Sequence, residues 1–421
     1  MDSSALPQPS ADALDASHRL VALIQAEVEA AGGWIGFDRY MQLALYQPGL
    51  GYYSGGSRKF GADGDFVTAP ETSPLFGACL ATQCAQWFES VPASVVEFGA
   101  GSGTMAAHLL NELQRLQVHP LGYDIIELSG ELRERQRQTI SMLAPASLAR
   151  VRWLDRMPES LSGVVLGNEL LDAMPVRLFQ IREGGIFERG VALAADPGGP
   201  STFCFQDRPA GRDFAALVAA SLSRAGWPAQ PAWPQRYGSE LGQTAGAWVA
   251  SVSQRLRNGV LLLLDYGFPA AEYYHPQRSQ GTLMCHYRHR SHADPFFVPG
   301  LQDISAHVDF SAVADAAAAG GAELLGYTSQ AHFLLNCGLL DKLAALPQTR
   351  GLDQARQSQA VQTLVSEAEM GELFKVLALG RVDAGASTGA AGGSRAAPVE
   401  QSVAASLGFM RGDRSQALGV D

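Results

Sequence analysis

Residues 95–104 read Val-Val-Glu-Phe-Gly-Ala-Gly-Ser-Gly-Thr, and this stretch carries the strongest structural signal in the chain. The two valines are typical of a β-strand. The glycines at 99, 101 and 103 permit a backbone turn that other residues rarely form. Apolar residues follow at the helical spacing of 105, 109, 110 and 113. The stretch therefore predicts a strand, a tight turn and the start of a helix.

The spacing of the three glycines indicates which class of ligand the turn binds. A dinucleotide-binding turn has the pattern G-x-G-x-x-G, whereas this chain has G-x-G-x-G with Thr104 in the place of the last glycine. The acid Glu97 ahead of the turn suits a ligand that carries a positive charge. The combination resembles motif I of Rossmann-like methyltransferases and predicts an S-adenosylmethionine site at Glu97, Gly99, Gly101 and Gly103. An ordinary glycine-rich turn is the alternative, and the spacing disfavours an NAD-dependent dehydrogenase.

Strands and helices alternate after this turn. Strands are expected at 94–98, 121–126, 149–153 and 163–167, with helical patterns following the first two. Such alternation predicts an α/β fold of the Rossmann-like class I methyltransferase type, with a mostly parallel twisted sheet and helices on both faces. Ligands of such sheets bind at the carboxyl ends of the strands.

Acids stand at the predicted ends of the second and third strands. Glu127 could accept hydrogen bonds from both ribose hydroxyls, with Leu128 beside the adenosine. Asp155 could accept one from the adenine amino group. Helix capping for Glu127 and a surface loop for Asp155 are the alternatives.

Polar residues also follow the predicted fourth strand, where the sequence runs Gly-Asn-Glu-Leu-Leu-Asp from 167 to 172. Asn168, Glu169 and Asp172 would therefore lie where the cofactor's methyl group is expected. A purely structural reading is a polar cap on a short helix that ends before Pro175.

Composition shifts divide the chain into segments. We expect an N-terminal helix and an aromatic, glycine-rich lid region, a cofactor-binding core, an inserted hairpin and helix region, and a second part of the core with a His-rich insertion at 268–306. The expected segments are a disordered tail at 1–16, the lid region at 17–92, the core at 93–174 and 259–382, the insert at 175–258, a flexible Gly/Ala loop at 383–398 and a C-terminal segment at 399–421.

The composition excludes several classes of protein. A net charge of −11 and the lack of a dense basic patch argue against nucleic acid as a partner. Five cysteines without C-x-x-C spacing indicate a reducing compartment. The acidic N-terminal residues resemble no targeting segment, and the apolar run Val260 to Leu264 is far too short to span a membrane. These features predict a cytoplasmic protein with no membrane insertion.

Several motifs together resemble the MidA family, the bacterial and mitochondrial S-adenosylmethionine-dependent methyltransferases linked to assembly of respiratory complex I. The tract Glu-Tyr-Tyr-His-Pro-Gln-Arg at 272–278 is the most unusual of them. The resemblance runs from about residue 18 to 418 and departs from the family at the Gly/Ala tract. The other matching stretches are 51–53, 64–66, 68–70, 97–104, 167–172, 265–267, 281–283, 285–289, 302–304 and 306–310.

The resemblance implies methylation of an arginine in a protein acceptor such as a complex I subunit. An arginine nucleophile needs carboxylates that grip the guanidinium bidentately, and Glu169 and Asp172 are the candidates. Asn168 would orient the cofactor or the acceptor, Asp265 would be a third acid, and Tyr266 could stack on the guanidinium. A small-molecule methyltransferase and a non-catalytic, cofactor-binding assembly factor are the alternatives.

The histidines of the insertion are not expected to hold a metal. His286, His289 and His292 lie three residues apart, but no acid motif such as H-E-x-x-H accompanies them. We expect this insertion to contact the protein acceptor.

Overall fold

The computed structural model describes residues 6–55, 68–194, 202–229, 233–346, 352–382 and 406–420. The chain forms two compact units. The first unit contains the described residues within 1–66, 171–247 and 268–312, and the second unit contains those within 67–170, 248–267 and 313–421.

Strands and helices alternate along much of the chain. The strands are β1 (Ile35–Gly36), β2 (Ser94–Phe98), β3 (Gly122–Ile126), β4 (Val151–Leu154), β5 (Leu161–Asn168), β6 (Arg177–Arg182), β7 (Gly185–Ala194), β8 (Thr202–Pro209), β9 (Arg236–Leu241), β10 (Leu256–Phe268), β11 (Met284–Tyr287), β12 (Arg290–His292), β13 (Asp303–Ser305), β14 (Val308–Asp309), β15 (Glu323–Ser329) and β16 (Phe374–Val382). The α-helices are α1 (Ala11–Ala30), α2 (Phe37–Tyr46), α3 (Ala69–Thr72), α4 (Pro74–Trp87), α5 (Thr104–Arg115), α6 (Gly130–Leu143), α7 (Arg212–Arg224), α8 (Gln243–Arg255), α9 (Ala270–Tyr273), α10 (Phe310–Ala319), α11 (Gln330–Asn336), α12 (Leu339–Ala345), α13 (Leu352–Val365) and α14 (Met370–Leu373).

The sheet of the second unit runs in the order β15-β16-β10-β5-β2-β3-β4. The strands from β10 to β4 are parallel, and β16 is antiparallel to both of its neighbours. The chain proceeds from β2 to the edge strand β4 and then returns to β5 on the other side of β2. The strand order therefore reverses between β2 and β5, which is the position where open α/β sheets bind ligands.

One apolar cluster fixes the sheet of the second unit. Val95 and Val164, from β2 and β5, pack with Leu109 of α5 and Leu262 of β10. All of these side chains are essentially inaccessible to water. The near-continuous apolar character of β10 fits a parallel strand that is covered on both faces.

The first unit is built mainly on antiparallel sheets. One has the order β1-β7-β6-β9 with β8 paired to β7, and the other has the order β12-β11-β13. The sequence Glu-Gly-Gly at 183–185 is typical of a hairpin turn, and the β6–β7 hairpin turns at Glu183 and Gly184, both with positive φ.

Some sequence-based boundaries need correction. Helix α1 begins at Ala11 because Ser10 caps it, so residues 11–16 are not the disordered tail that was expected. The sequence predicts a helix near 239–257, but β9 extends to Leu241 and α8 starts only at Gln243. The Gly/Ala loop at 383–398 and residues 56–67 of the expected lid region lie outside the described residues.

Gly103 offers a test of the packing behind the turn that follows β2. Its φ is +85°, and a Cβ atom there would lie 2.9 Å from the Cα of Gln136 in α6. We expect Gly103→Ala to lower the free energy of unfolding by more than the ~1–2 kcal/mol that the left-handed backbone alone costs. Gly338 is the matched control, since it has a φ of +82° at the start of α12 and no atom closer than 4.0 Å to its would-be Cβ. Equal losses in urea unfolding of Gly103→Ala and Gly338→Ala would contradict the packing argument.

Candidate functional site

The glycine turn after β2 forms an open backbone surface at the point where the strand order reverses. Gly99, Gly101 and Gly103 have φ values of +65°, +53° and +85°. Gly99 is exposed, and a Cβ atom on it would meet only Leu170, at 3.2 Å from the Cδ1 atom. Gly103 has a different function, because it begins α5 in the left-handed conformation and packs against α6.

Glu97 lies beneath this turn. Its side chain is 1 % exposed, and the hydroxyl of Tyr123 donates a hydrogen bond of 2.6 Å to its Oε2 atom. Burial raises the pKa of Glu97 to about 7, although the Tyr123 hydrogen bond opposes the shift. Glu97 is therefore a buried acid that the protein itself holds in place.

Glu127 follows β3, as the sequence predicts, and both of its carboxylate oxygens have protein partners. Oε1 accepts a hydrogen bond of 2.9 Å from the backbone N–H of Ser129. Oε2 accepts one of 3.2 Å from the Nε2 atom of Gln136. The carboxylate is thus oriented while the residue keeps partial exposure.

Gln136 connects these features, and sequence reasoning missed it. Its Nε2 atom also donates to the carbonyl of Gly101, at 3.1 Å, and its Oε1 atom accepts from the indole N–H of Trp153, at 2.9 Å. The side chain is fully buried, so these hydrogen bonds satisfy it internally. A glutamine in the middle of an amphipathic helix carries no motif that could have revealed this function.

Leu128 and Asp155 lie at the surface. Leu128 is 78 % exposed. The side chain of Asp155 is 86 % exposed and pairs with Arg133, at 2.5 Å. Arg133 also donates to the carbonyls of Glu127, at 2.6 Å, and Leu154, at 2.9 Å. Contact of Leu128 and Asp155 with an adenosine stays a prediction.

The loop after β5 carries the second set of predicted residues. Glu169 has a φ of +47°, a conformation that L-residues other than Asn, Asp and Gly rarely adopt. Its backbone N–H donates to the carbonyl of Leu264, at 2.8 Å, and its Oε1 atom accepts from the amide of Asn168, at 3.2 Å. The Oδ1 atom of Asn168 is buried and has no hydrogen-bond partner among the residues that the structure describes. A strained acid and an orphaned buried acceptor thus lie at the switch point, where such strain is often functional.

Asp265 stabilises this loop. It is 1 % exposed, and its Oδ2 atom accepts from the backbone N–H of Leu170 at 3.1 Å. Its Oδ1 atom accepts from the N–H of Tyr266 at 3.0 Å. The ring of Tyr266 packs edge-on against Phe374, with the centroids 5.2 Å apart. The structure therefore brings Asn168, Glu169 and Asp265 together and gives Asp265 a positioning function.

Asp172 belongs to the first unit. It is 6 % exposed, and its backbone carbonyl accepts from the N–H of Ala306 at 3.0 Å. His286 and His292 lie on the paired strands β11 and β12 of the same unit, and His289 is in the turn between them. Within the described ranges, no group of three or more His, Cys, Asp and Glu side chains could hold a metal ion. No helix in the same ranges has the length and apolarity of a membrane span.

The pKa of Glu97 predicts a pH dependence of stability. Because burial raises this pKa from 4.5 to about 7, the folded state binds more protons than the unfolded state between these pH values. The free energy of unfolding should therefore fall as the pH rises through that window, by on the order of a few kcal/mol.

Urea unfolding over a series of pH values measures this dependence. Glu97→Gln should remove it, whereas Glu89→Gln, at an exposed position after α4, should retain it. If the free energy of unfolding of Glu97→Gln depends on pH as that of the wild type does, another group is responsible for the dependence.

Comparison with known proteins agrees with this geometry. A family of S-adenosyl-L-methionine-dependent methyltransferases matches residues 79–328. A protein from Burkholderia thailandensis, crystallised with S-adenosyl-homocysteine, is 49 % identical in sequence to this chain. The match covers 98 % of this chain and 100 % of that one, with a TM-score of 0.87.

Curated relatives share less sequence. The mouse mitochondrial protein arginine methyltransferase NDUFAF7 is 29 % identical over 82 % of this chain and 81 % of its own length. The human protein of that name is 28 % identical over 82 % of this chain and 80 % of its own length. The prediction of a cytoplasmic protein is wrong by this comparison, since these relatives are mitochondrial. That prediction rested on a missing targeting signal, and a missing signal carries no positive information about the compartment.

The resemblance drawn from the motifs is confirmed, and so is the cofactor. The open glycine turn, the oriented Glu127 carboxylate and the orphaned Asn168 oxygen suit a nucleoside bearing an amino-acid tail. The chain belongs to this family of S-adenosylmethionine-dependent methyltransferases.

Proposed function

We propose that the protein methylates an arginine side chain of a protein acceptor, and that a subunit of respiratory complex I is the first acceptor to test. The names of the mouse and human relatives support protein arginine methylation. The observation that carries the proposal is the strained Glu169 beside Asn168 at the end of β5. Strain of this kind costs about 1–3 kcal/mol and persists where the surroundings hold it in place.

Arginine is a demanding acceptor. S-adenosylmethionine supplies a methyl group on a positively charged sulfur, and the acceptor nitrogen must approach it in line. A guanidinium is planar, delocalised and always protonated in proteins. A fixed carboxylate can orient it bidentately and concentrate electron density on the nitrogen that reacts.

Glu169 is the residue that we propose for this interaction. The Asn168 amide holds its Oε1 atom, and Asp265 holds the following backbone N–H, so the loop has few ways to relax. Its carboxylate is thus pre-organised, which reduces the entropy lost when the acceptor is oriented. We keep Asp172 as the proposed second acid. We also propose that the insertion at 268–306 contacts the acceptor protein.

One experiment distinguishes the proposed function from two alternatives. Purified protein and labelled S-adenosylmethionine are incubated with an extract from a strain that lacks the gene, and the labelled product is hydrolysed for amino-acid analysis. Methylarginine in a protein fraction is the expected result. Label in a small molecule would show a small-molecule methyltransferase. Tight cofactor binding without any transfer would show an assembly factor that only binds the cofactor.

Gln136 should control cofactor affinity. Gln136→Met keeps the approximate volume but removes the hydrogen bonds to Gly101, Glu127 and Trp153. We expect S-adenosylhomocysteine to bind roughly tenfold more weakly, because the partly buried groups left without partners cost free energy and lose their orientation. Calorimetric titration measures the dissociation constant. Gln138→Met, at an exposed position of the same helix, is the control and should bind as the wild type does.

Glu169→Gln tests the acceptor mechanism. The substitution keeps the shape of the side chain and removes its charge, so methyl transfer should fall by on the order of a hundredfold or more. Binding of S-adenosylhomocysteine should change little, and Asp172→Asn should act in the same direction as Glu169→Gln. Single-turnover transfer of a labelled methyl group is the measurement.

The matched control is Glu183→Gln, since Glu183 also has a positive φ, +51°, in the β6–β7 hairpin. This variant should transfer methyl groups at the wild-type rate. If Glu169→Gln does the same, the acid after β5 only organises its loop and the proposed mechanism is wrong.

A further inference from the structure

We infer that Glu71, a residue outside the motifs of the sheet, binds the ammonium group of the cofactor's amino-acid end. This inference rests on the cofactor alone and not on the proposed arginine acceptor. Glu71 lies in the short helix α3, directly before α4. Its carboxylate accepts a hydrogen bond from the hydroxyl of Ser102, the residue between Gly101 and Gly103.

The hydrogen bonds around Ser102 fix the carboxylate against the glycine turn. The Ser102 hydroxyl lies 2.8 Å from that of Thr104 and accepts from the Thr104 backbone N–H at 3.2 Å. Thr104 is the first residue of α5. The Glu71 carboxylate is therefore held beside the start of α5, on a residue of the turn itself.

No ion pair involves Glu71 within the part of the chain that the structure describes. The Glu71 carboxylate acts to raise the pKa of the nearby His108, but burial outweighs that effect and lowers the pKa below its usual value. His108 is thus largely neutral at neutral pH and does not balance the Glu71 carboxylate.

Glu97 is a weaker candidate for the same interaction, although the sequence favours it. It is 1 % exposed and already accepts a hydrogen bond from Tyr123. Glu71 is partly exposed, and its hydrogen-bond partner among the described residues is the hydroxyl of Ser102. An ammonium group that reaches the turn from solvent would meet Glu71 without displacing any buried contact.

The two charges of the amino-acid end suit this arrangement. Backbone N–H groups at the start of α5, a helix of 12 residues, favour the carboxylate. A carboxylate beside them favours the ammonium. Glu71 would therefore fix the orientation of the amino-acid end, which in turn sets the position of the sulfur and its methyl group.

Binding measurements with three ligands test this assignment. The ligands are S-adenosylhomocysteine, its analogue with hydrogen in place of the ammonium group, and 5′-methylthioadenosine, which lacks the amino-acid end. Glu71→Gln should weaken S-adenosylhomocysteine at least tenfold. The affinities of the other two ligands should stay within about twofold of the wild type, since neither carries an ammonium.

The pattern across ligands separates binding from support of the turn. Equal weakening of all three ligands would show that Glu71 only supports Ser102, and an unchanged affinity for S-adenosylhomocysteine would also overturn the inference. Glu71→Ala is a second variant. Its loss of affinity for S-adenosylhomocysteine is compared with its losses for the other two ligands in the same way. The control is Glu131→Gln, at an exposed position in α6, for which all three affinities should be unchanged. None of these readouts depends on methyl transfer, so the inference can fail while the proposed acceptor stands, and the reverse.

Discussion

The hydrogen bonds of one buried amide hold the glycine turn and the ends of the neighbouring strands together. Gln136 in α6 links the carbonyl of Gly101, the carboxylate of Glu127 and the indole of Trp153. These groups come from the ends of three neighbouring strands or the turns that follow them. Each would lose a buried partner if the amide moved, and such losses cost about 1–3 kcal/mol each. The turn and the acid after β3 are therefore fixed relative to each other before any ligand arrives.

The loop after β5 depends on a similar constraint. Asp265 accepts hydrogen bonds from the backbone N–H groups of Leu170, in this loop, and of Tyr266, in β10, and the N–H of Glu169 donates to the carbonyl of Leu264 in β10. These contacts hold Glu169 in a left-handed conformation that its side chain disfavours. A rigid, strained acid beside the orphaned oxygen of Asn168 is suited to orient a reacting group, because little freedom is left to lose.

Burial distinguishes the acids around the turn. Glu97 is enclosed by the protein and has a raised pKa. It therefore contributes mainly to the free energy of unfolding and to the pH dependence of that free energy. Glu127, Glu169 and Glu71 are each partly exposed and each held by a donor from the chain. Acids of the second kind can meet a ligand without a large desolvation cost, which supports the predicted ribose contact of Glu127 and the proposed interactions of Glu169 with the acceptor and of Glu71 with the ammonium.

Elements whose signals are local could be predicted from the sequence. The glycine pattern predicted the turn between β2 and α5, and the alternation of apolar runs predicted the parallel strands from β2 to β5, because periodicity and turn chemistry act over a few residues. The cofactor class followed from the same turn. The sequence did not predict β9, the start of α1 or the antiparallel direction of β16. Strand pairing joins distant segments, and a single serine cap can move a helix boundary.

The functions that we infer for Gln136, Asp265 and Glu71 depend on the tertiary structure. Each of these residues forms a hydrogen bond to a residue far away along the chain, such as Ser102 for Glu71 or Leu170 for Asp265. No spacing rule encodes such a contact, since it exists only after the sheet has brought the strand ends together. Local sequence patterns therefore indicated the cofactor, whereas the side chains that we propose to hold it could be identified only from the packing of the sheet.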